Sequence, residues 1–172
     1  EMGIRENTLL IFTSDNGMSM GHHGIYGKGN ATFPLNMFDT AVEVPFLISR
    51  PGFIEKGKVC EELVSQYDFM PTLLDYFGID NKETKNLPGK SFADILKGEK
   101  QNDHKNIVVY DEYGPVRMIR NKKWKYIHRY PYGPHELYNL VNDPEEKRNL
   151  IKEENKEMII KEMRNKLGLW FS

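Results

Sequence analysis

The sequence lacks most of the features that would assign it to a specialised class of protein. Its 172 residues include one cysteine, Cys60, which excludes a disulfide within the chain. No apolar run approaches the roughly 20 residues that a transmembrane helix requires, so we predict no membrane span. The 24 lysine and arginine residues nearly balance the 25 aspartate and glutamate residues, and the formal net charge of -1 predicts no nucleic-acid partner.

The first half of the chain has the pattern of an α/β protein. Two short apolar runs, at residues 9–12 and 44–49, do not alternate with polar residues. Such runs are typical of strands that are covered on both faces of a largely parallel sheet. Residues 68–77 and 91–98 are predicted helices because their apolar residues recur at helical spacing. Ser91 is the expected cap of the second helix.

The second half has a different pattern, and we divide the chain accordingly into an α/β portion at 1–98, a linker at 99–106 and a small α+β subdomain at 107–172. The linker is polar and shows no periodicity. Beyond it, four short segments rich in β-branched and aromatic residues predict an antiparallel meander. A final helix is expected to begin at Asp143 and to bury an apolar stripe that includes Met163.

Residues 13–29, TSDNGMSMGHHGIYGKG, follow directly on the first predicted strand. Ligands of open α/β sheets bind just beyond the carboxyl ends of strands. Asp15 offers a carboxylate and Asn16 an amide oxygen, which suit Ca²⁺ or Mg²⁺. An Asn-Gly hairpin turn is the more ordinary use of these residues, but the segment after Gly17 does not alternate as a partner strand would.

Two further residues of this loop point to an anion. Lys28 lies among glycines, where its ammonium group can reach an anionic oxygen. His23 can donate a hydrogen bond to the same anion or protonate a leaving group. Plainer interpretations are a solvated lysine and, for the pair His22–His23, a polar loop or a soft-metal site. Their combination with Asp15 and Asn16 on one loop favours a metal and anion site.

Several segments, taken in order, resemble the formylglycine-dependent sulfatases of the alkaline phosphatase superfamily. They are NTLLIFTSDNG, GHHGIYGKG, FDTAVEVPFLISRPG, YDFMPTLLDYFGI, LPGKSFADILKG, VRMIRNKKWKYI and HELYNLVNDPEEKRNL. The resemblance implies the C-terminal part of a sulfatase domain, with a mostly parallel sheet and flanking helices. A small antiparallel sheet and a C-terminal helix would follow.

The resemblance also implies roles for individual residues. Asp15 and Asn16 would be two ligands of a divalent metal, most simply Ca²⁺ or else Mg²⁺. Lys28 would contact the sulfate ester and the nucleophile, and His23 the sulfate or the leaving oxygen. His22 stands where relatives often have an acid, so its role stays open between substrate contact and none.

Other parts of the family pattern are missing. Its nucleophile lies in a C/S-x-P/A-x-R segment, and Cys60, in KVCEEL, has neither the proline nor the arginine. We therefore expect Cys60 to be a buried or strand cysteine. The formylglycine and an earlier pair of acidic metal ligands are expected in an N-terminal part that this chain does not contain. The 172-residue chain alone is then expected to be inactive.

For the complete protein, the resemblance implies hydrolysis of the sulfate ester of a small molecule or carbohydrate, in the periplasm or outside a bacterial cell. His128, Arg129 and His135 are candidates for contact with the leaving alcohol, although they also suit a polar strand and turn. Two alternatives remain: a phosphatase or phosphonate-ester hydrolase of the same superfamily, and a non-catalytic α/β module that binds a divalent ion.

Overall fold

The structure is a computed structural model that describes residues 2–80, 86–99, 105–111 and 115–172. These residues pack into two compact units, which are Glu1–Thr13 with Phe46–His104, and Ser14–Pro45 with Lys105–Ser172. The boundaries at residues 98 and 107 stay a prediction, and most of the predicted linker, residues 100–104, lies outside the described residues.

The regular elements follow one another in a chain of short strands and helices. In order they are β1 (Leu10–Phe12), β2 (Ser19–Met20), β3 (Tyr26–Gly27), α1 (Asp39–Val42), β4 (Leu47–Ser49), α2 (Phe69–Tyr76), α3 (Ala93–Leu96), β5 (Ile107–Tyr110), β6 (Val116–Arg120), β7 (Trp124–Arg129), β8 (Glu136–Asn139) and α4 (Glu157–Trp170). Short 3-10 turns lie at Arg5–Asn7, His22–Gly24, Gly29–Ala31, Gln66–Asp68 and Glu154–Lys156. None of the helices in the described residues combines the length and apolar character needed to cross a bilayer.

In the first unit, β1 pairs with β4 in an antiparallel ribbon that aligns Leu10 with Ser49. Leu10 is 58% exposed and Phe12 64% exposed, so the expectation that this strand is covered on both faces is wrong for the described chain. The ribbon has two strands, and no other strand among the described residues of this unit extends its sheet. All strand pairs among the described residues are antiparallel.

The two predicted helices of the first unit form, with shorter bounds. Before α2, Ser65 accepts a hydrogen bond from the Tyr67 amide at 3.3 Å, while Asp68 accepts one from the Ser65 amide at 2.7 Å. This reciprocal cap leads into the helix through a 3-10 turn. Ser91 accepts a hydrogen bond from the Ala93 amide at 3.1 Å, so its predicted capping role is confirmed. Cys60 is exposed and outside the strands, so its expected burial is wrong.

In the second unit, the predicted antiparallel meander is confirmed as a sheet of order β5-β6-β7-β8. Alternation along the strands sends side chains to two apolar clusters, one on each face. The cluster under α4 contains Met163 and Leu167, as the helical stripe predicted. The opposite cluster contains Met37 and is lined by Leu35 and Phe38. Residues 35–38, which follow the loop at His22–Gly24 (the HHG loop), therefore cover the second face of the sheet.

The final helix begins at Glu157 and not at Asp143 as predicted. Asp143 instead closes a turn, since its carboxylate accepts the Lys147 amide at 3.0 Å and the Arg148 amide at 2.8 Å. Glu146 adopts a left-handed backbone (φ 56°), which interrupts any helix there. The side chain of Glu146 is buried and accepts a hydrogen bond from the Asp39 amide. This tertiary contact overrides the local preference for a helix.

Candidate active site

The HHG loop forms the turn of a short hairpin, in which β2 pairs with β3 and Ser19 lies opposite Gly27. The Asp15–Gly17 turn precedes β2, and Lys28 directly follows β3. Because paired strands run antiparallel, the Asp15–Gly17 turn and Lys28 lie at the same end of the hairpin. His23 lies in the turn at the other end. The chain thus does form a hairpin, but its turn is not at Asn16–Gly17.

The Asp15–Asn16 pair is held in a fixed local arrangement. Asp15 Oδ1 accepts hydrogen bonds from the Asn16 amide at 2.8 Å and from the Ser14 hydroxyl at 3.3 Å. The Asn16 side-chain nitrogen donates to Gly17 O at 2.8 Å. Since that nitrogen is engaged, the amide oxygen is the atom that can act as a ligand.

This donor set fits a hard cation. A carboxylate and an amide oxygen on one turn are ligands that Ca²⁺ and Mg²⁺ accept. Across residues 2–80, 86–99, 105–111 and 115–172, no group of three histidine, cysteine or acidic residues is placed to hold a metal. Asp15 and Asn16 can therefore supply only part of a coordination sphere.

Gly17 fastens the turn to α1. Its amide donates to Ala41 O at 2.9 Å. A Cβ atom at Gly17 would lie 2.3 Å from Thr40 O, a distance that only glycine avoids. Two residues further on, the buried Ser19 hydroxyl lies 2.7 Å from the Thr40 hydroxyl. The position of the Asp15–Asn16 pair is thus set by contacts with α1.

His23 makes an aromatic contact and adopts a strained backbone conformation. Its ring stacks on Phe38 with centroids 3.8 Å apart and planes 7° apart. Its φ of 54° is uncommon for a residue with a side chain and is often found at functional sites. Partial burial lowers the pKa of His23, as does His22, while Asp143 opposes the shift. At neutral pH the ring is therefore mainly neutral and keeps one N–H donor.

Lys28 is exposed, and its backbone is fixed by Asn36. The buried Asn36 side chain donates to Gly29 O at 3.1 Å and to Lys28 O at 3.4 Å. The Asn36 amide also donates to Gly29 O at 3.0 Å. A flexible side chain on a fixed backbone suits a residue that reaches an anion. His22, by contrast, is exposed in the turn beside His23, and its role stays open.

The other residues predicted to contact substrate form structural contacts. His128 is 2% exposed, its Nδ1 lies 2.7 Å from the Tyr126 hydroxyl, and its ring stacks on His135 at 4.1 Å. Arg129 is buried and donates to Glu136 at 2.6 Å. The contact of His128, Arg129 and His135 with an alcohol stays a prediction. The bond from Arg129 to Glu136 links β7 to β8.

The stacked histidines predict a pH-dependent stability. Burial lowers the pKa of His128 to about 4, helped by His135, Arg164 and Arg117. The unfolded pKa is about 6.5, so between these values the unfolded state binds more protons. Stability should rise from pH 4 to about pH 6.5, by at most about 3 kcal/mol from this group, and then level off.

Chemical denaturation of the parent and His128→Gln proteins across this pH range tests the prediction. We expect a shallower dependence on pH in the variant, and a parent-like dependence in His22→Gln, because His22 is exposed. Equal slopes for the parent and His128→Gln would contradict it.

The sequence did not predict several residues that hold the candidate site residues in place. Asn36 and Phe38 hold Lys28 and His23, and Asp39 accepts a buried lysine, Lys125. A signal for Lys125 was present in the sequence. It lies two positions before the buried Ile127 on β7, so strand alternation places a charge on an inward face, where it requires a partner.

Solved structures define the class to which this arrangement belongs. A solved structure of a protein in complex with its substrate D-glucosamine-2-N,6-O-disulfate matches with a TM-score of 0.84 and 27% identity, over 98% of this chain and 35% of that chain. The phosphonate monoester hydrolase of Agrobacterium radiobacter matches with a TM-score of 0.80 and 26% identity, over 98% and 36%. The fold is that of the sulfatases of the alkaline phosphatase superfamily, which confirms the predicted α/β class with a small antiparallel sheet and a C-terminal helix. The predicted parallel pairing is not found among the described strands.

Sequence matches identify the family. Residues 21–170 match the family described as N-sulphoglucosamine sulphohydrolase, C-terminal, and the chain belongs to it. A Delta 4,5-hexuronate-2-O-sulfatase of Bacteroides thetaiotaomicron is 33% identical over 167 residues, covering 92% of this chain and 33% of its own length. An arylsulfatase of Clostridium perfringens is 34% identical with the same two coverages, 92% and 33%. The chain thus spans about a third of these relatives, and its resemblance to sulfatases is confirmed.

Proposed function

We propose that the complete protein is a sulfatase that hydrolyses sulfate esters with a divalent metal, Ca²⁺ or Mg²⁺. The observation that carries the proposal is the hairpin that places the Asp15–Asn16 turn and Lys28 at one end, with the turn fastened to α1. Membership of a sulfatase family supports the type of reaction. The metal and the individual roles are our inference from the chemistry of the side chains.

Each residue has a defined task in this proposal. Asp15 and the amide oxygen of Asn16 hold the metal, which when bound stabilises negative charge on the sulfate oxygens. The Lys28 ammonium group binds a sulfate oxygen as a point charge. His23, which its lowered pKa keeps mainly neutral at neutral pH, donates its ring N–H toward the sulfate or the leaving oxygen. The attacking group is expected from a formylglycine outside this chain.

The substrate class we favour is a sulfated carbohydrate. One matching structure is in complex with D-glucosamine-2-N,6-O-disulfate, and another relative is an N-acetylglucosamine-6-O-sulfatase of Bacteroides thetaiotaomicron, 27% identical over 88% of this chain. A sulfated small molecule such as an aryl sulfate would contact the same metal, Lys28 and His23, because these groups meet the sulfate-ester group that both kinds of substrate share.

Metal removal tests the proposal. The complete protein should release sulfate from an aryl sulfate and from a sulfated glucosamine. Chelation should abolish turnover, and added Ca²⁺ or Mg²⁺ should restore it. The 172-residue chain alone should show no turnover. Full activity after exhaustive chelation would contradict the metal assignment, and turnover by the isolated chain would contradict the need for an external nucleophile.

A phosphonate-ester hydrolase is the second candidate, favoured by the structural match to the enzyme of Agrobacterium radiobacter. The ratio of kcat/KM for an aryl sulfate and the matching aryl phosphonate separates the two functions. We expect the sulfate to be preferred. A preference for the phosphonate would assign the second function, and Ca²⁺ binding with no turnover of either ester would indicate a non-catalytic module.

A further inference from the structure

We propose that Lys125 and Glu146, on the C-terminal part of the chain, are positioning residues for the candidate active site. Their buried ion pair fixes residues 37–41, the segment on which both the Asp15–Asn16 turn and His23 rest. The inference deepens the proposed function and rests on it for its catalytic consequence, although the positional effect can be measured separately.

The pair is built around a fully buried lysine. Lys125 is 0% exposed, and its ammonium group lies 2.5 Å from Asp39 Oδ1 and 2.5 Å from Glu146 Oε1. It also donates to Met37 O at 3.0 Å. Two of its three donors are used in hydrogen bonds to Asp39 Oδ1 and Met37 O, and Glu146 Oε1 lies at ion-pair distance. A buried charge persists only with such partners, so the geometry around Lys125 is tightly specified.

Glu146 completes the arrangement from the loop after β8. Its second carboxylate oxygen, Oε2, accepts the Asp39 backbone amide at 2.6 Å. This orientation accompanies a left-handed backbone with φ 56°, which is strained for a residue other than glycine. A strained residue is retained where its side chain has a demanding position, and here that position is the start of α1.

The anchored segment carries both parts of the site. Phe38 lies between Met37, whose carbonyl binds Lys125, and Asp39, whose amide binds Glu146. His23 stacks on Phe38. Two residues beyond Asp39, Ala41 O accepts the amide of Gly17 at 2.9 Å.

Neither Lys125 nor Glu146 is placed to touch a ligand, because both are buried under this segment. They act through Phe38 and Ala41. Supporting contacts of this kind typically change metal affinity or activity by about 10- to 100-fold when removed.

The charges of Lys125 and Glu146 can be removed together without leaving an unpaired buried charge. Arg120 also binds Asp39, at 2.7 Å, so Asp39 keeps a cation when Lys125 is removed. In Lys125→Met/Glu146→Gln both buried charges disappear together. Replacing a buried ion pair by neutral groups of similar size is often neutral for stability, so we expect this variant to fold. Its effect on the site is then separable from an effect on the fold.

Three measurements on the complete protein test the inference. In Lys125→Met/Glu146→Gln we expect amide exchange of Gly17 to accelerate, while that of the core residue Ile127 stays unchanged. The Kd for Ca²⁺ should rise about tenfold and kcat for a sulfate ester should fall by a similar factor. The matched control is Arg148→Met/Glu153→Gln, which removes an ion pair of similar length, 2.6 Å, with an exposed arginine.

A second variant covers a failure to fold. Glu146→Gly removes the carboxylate and relieves the left-handed strain, and it should also accelerate exchange at Gly17 alone. Unchanged exchange at Gly17, or equal acceleration at Gly17 and Ile127, would overturn the positioning role. A parent protein without sulfate-ester turnover would refute the proposed function, while the exchange data would still decide whether the pair fixes the turn.

Discussion

Lys28→Ala in the complete protein should lower kcat/KM for a sulfate ester by about 100-fold or more, with little change in thermal stability. The side chain is exposed, so its removal creates no cavity. Its loss removes a positive charge from beside the anionic sulfate oxygens, which it would bind in the substrate and in the transition state. Steady-state kinetics with an aryl sulfate measure the effect.

Two companion variants interpret this result. Lys28→Arg keeps the charge but not the compact ammonium group, and it should recover only part of the activity. Lys152→Ala removes another exposed lysine and should behave as the parent protein does. If Lys28→Ala and Lys152→Ala had the same kcat/KM, Lys28 would have no part in binding the anion.

Gly17→Ala is expected to have the largest effect on the Asp15–Gly17 turn, which would bind the metal. The new Cβ would lie 2.3 Å from Thr40 O and 3.1 Å from Glu43 O, so the turn or α1 must move. Overpacking of this kind costs about 1–3 kcal/mol of unfolding free energy. Because Asp15 and Asn16 move with the turn, Ca²⁺ binding should also be lost.

Gly168→Ala is the matched control. In α4 a Cβ at Gly168 meets no atom within 4 Å, and alanine is favoured over glycine in a helix by about 1 kcal/mol. Denaturant unfolding should show opposite signs for the two variants, and calorimetric titration should show Ca²⁺ binding only in Gly168→Ala. Parent-like stability and Ca²⁺ affinity in Gly17→Ala would contradict the tight approach to α1.

The sequence predicted the elements whose signals are local. The four strands of the meander were predicted from β-branched and aromatic runs, and the stripe of α4 from helical spacing. The start of α4 was wrong because Asp143 and its acidic neighbours resemble a helix start, whereas Glu146 is turned inward by Lys125 and Asp39. Asp39 lies 107 residues from Glu146 in the chain, and no local pattern contains such a partner.

In the candidate site, too, the features with a local signal could be predicted and those that depend on tertiary contacts could not. Asp15, Asn16, His23 and Lys28 could be proposed from the sequence because metal and anion chemistry restricts which side chains are used. Strand alternation marks Lys125 as an inward-facing charge, but its partners, and the contacts of Asn36 and Phe38 with the loop, depend on tertiary packing that no local pattern contains. Exposure of Leu10 and Phe12 could not be predicted either, because an apolar run is typical of a covered strand, whereas these side chains are exposed on a two-stranded ribbon.

A crystal structure of the complete protein with Ca²⁺ and sulfate would show whether one loop, residues 13–29, holds both the metal and the anion. We expect Asp15 and the Asn16 amide oxygen at about 2.3–2.6 Å from the ion, with the Lys28 ammonium group bonded to a sulfate oxygen. An ion and a sulfate bound away from these three side chains would contradict it.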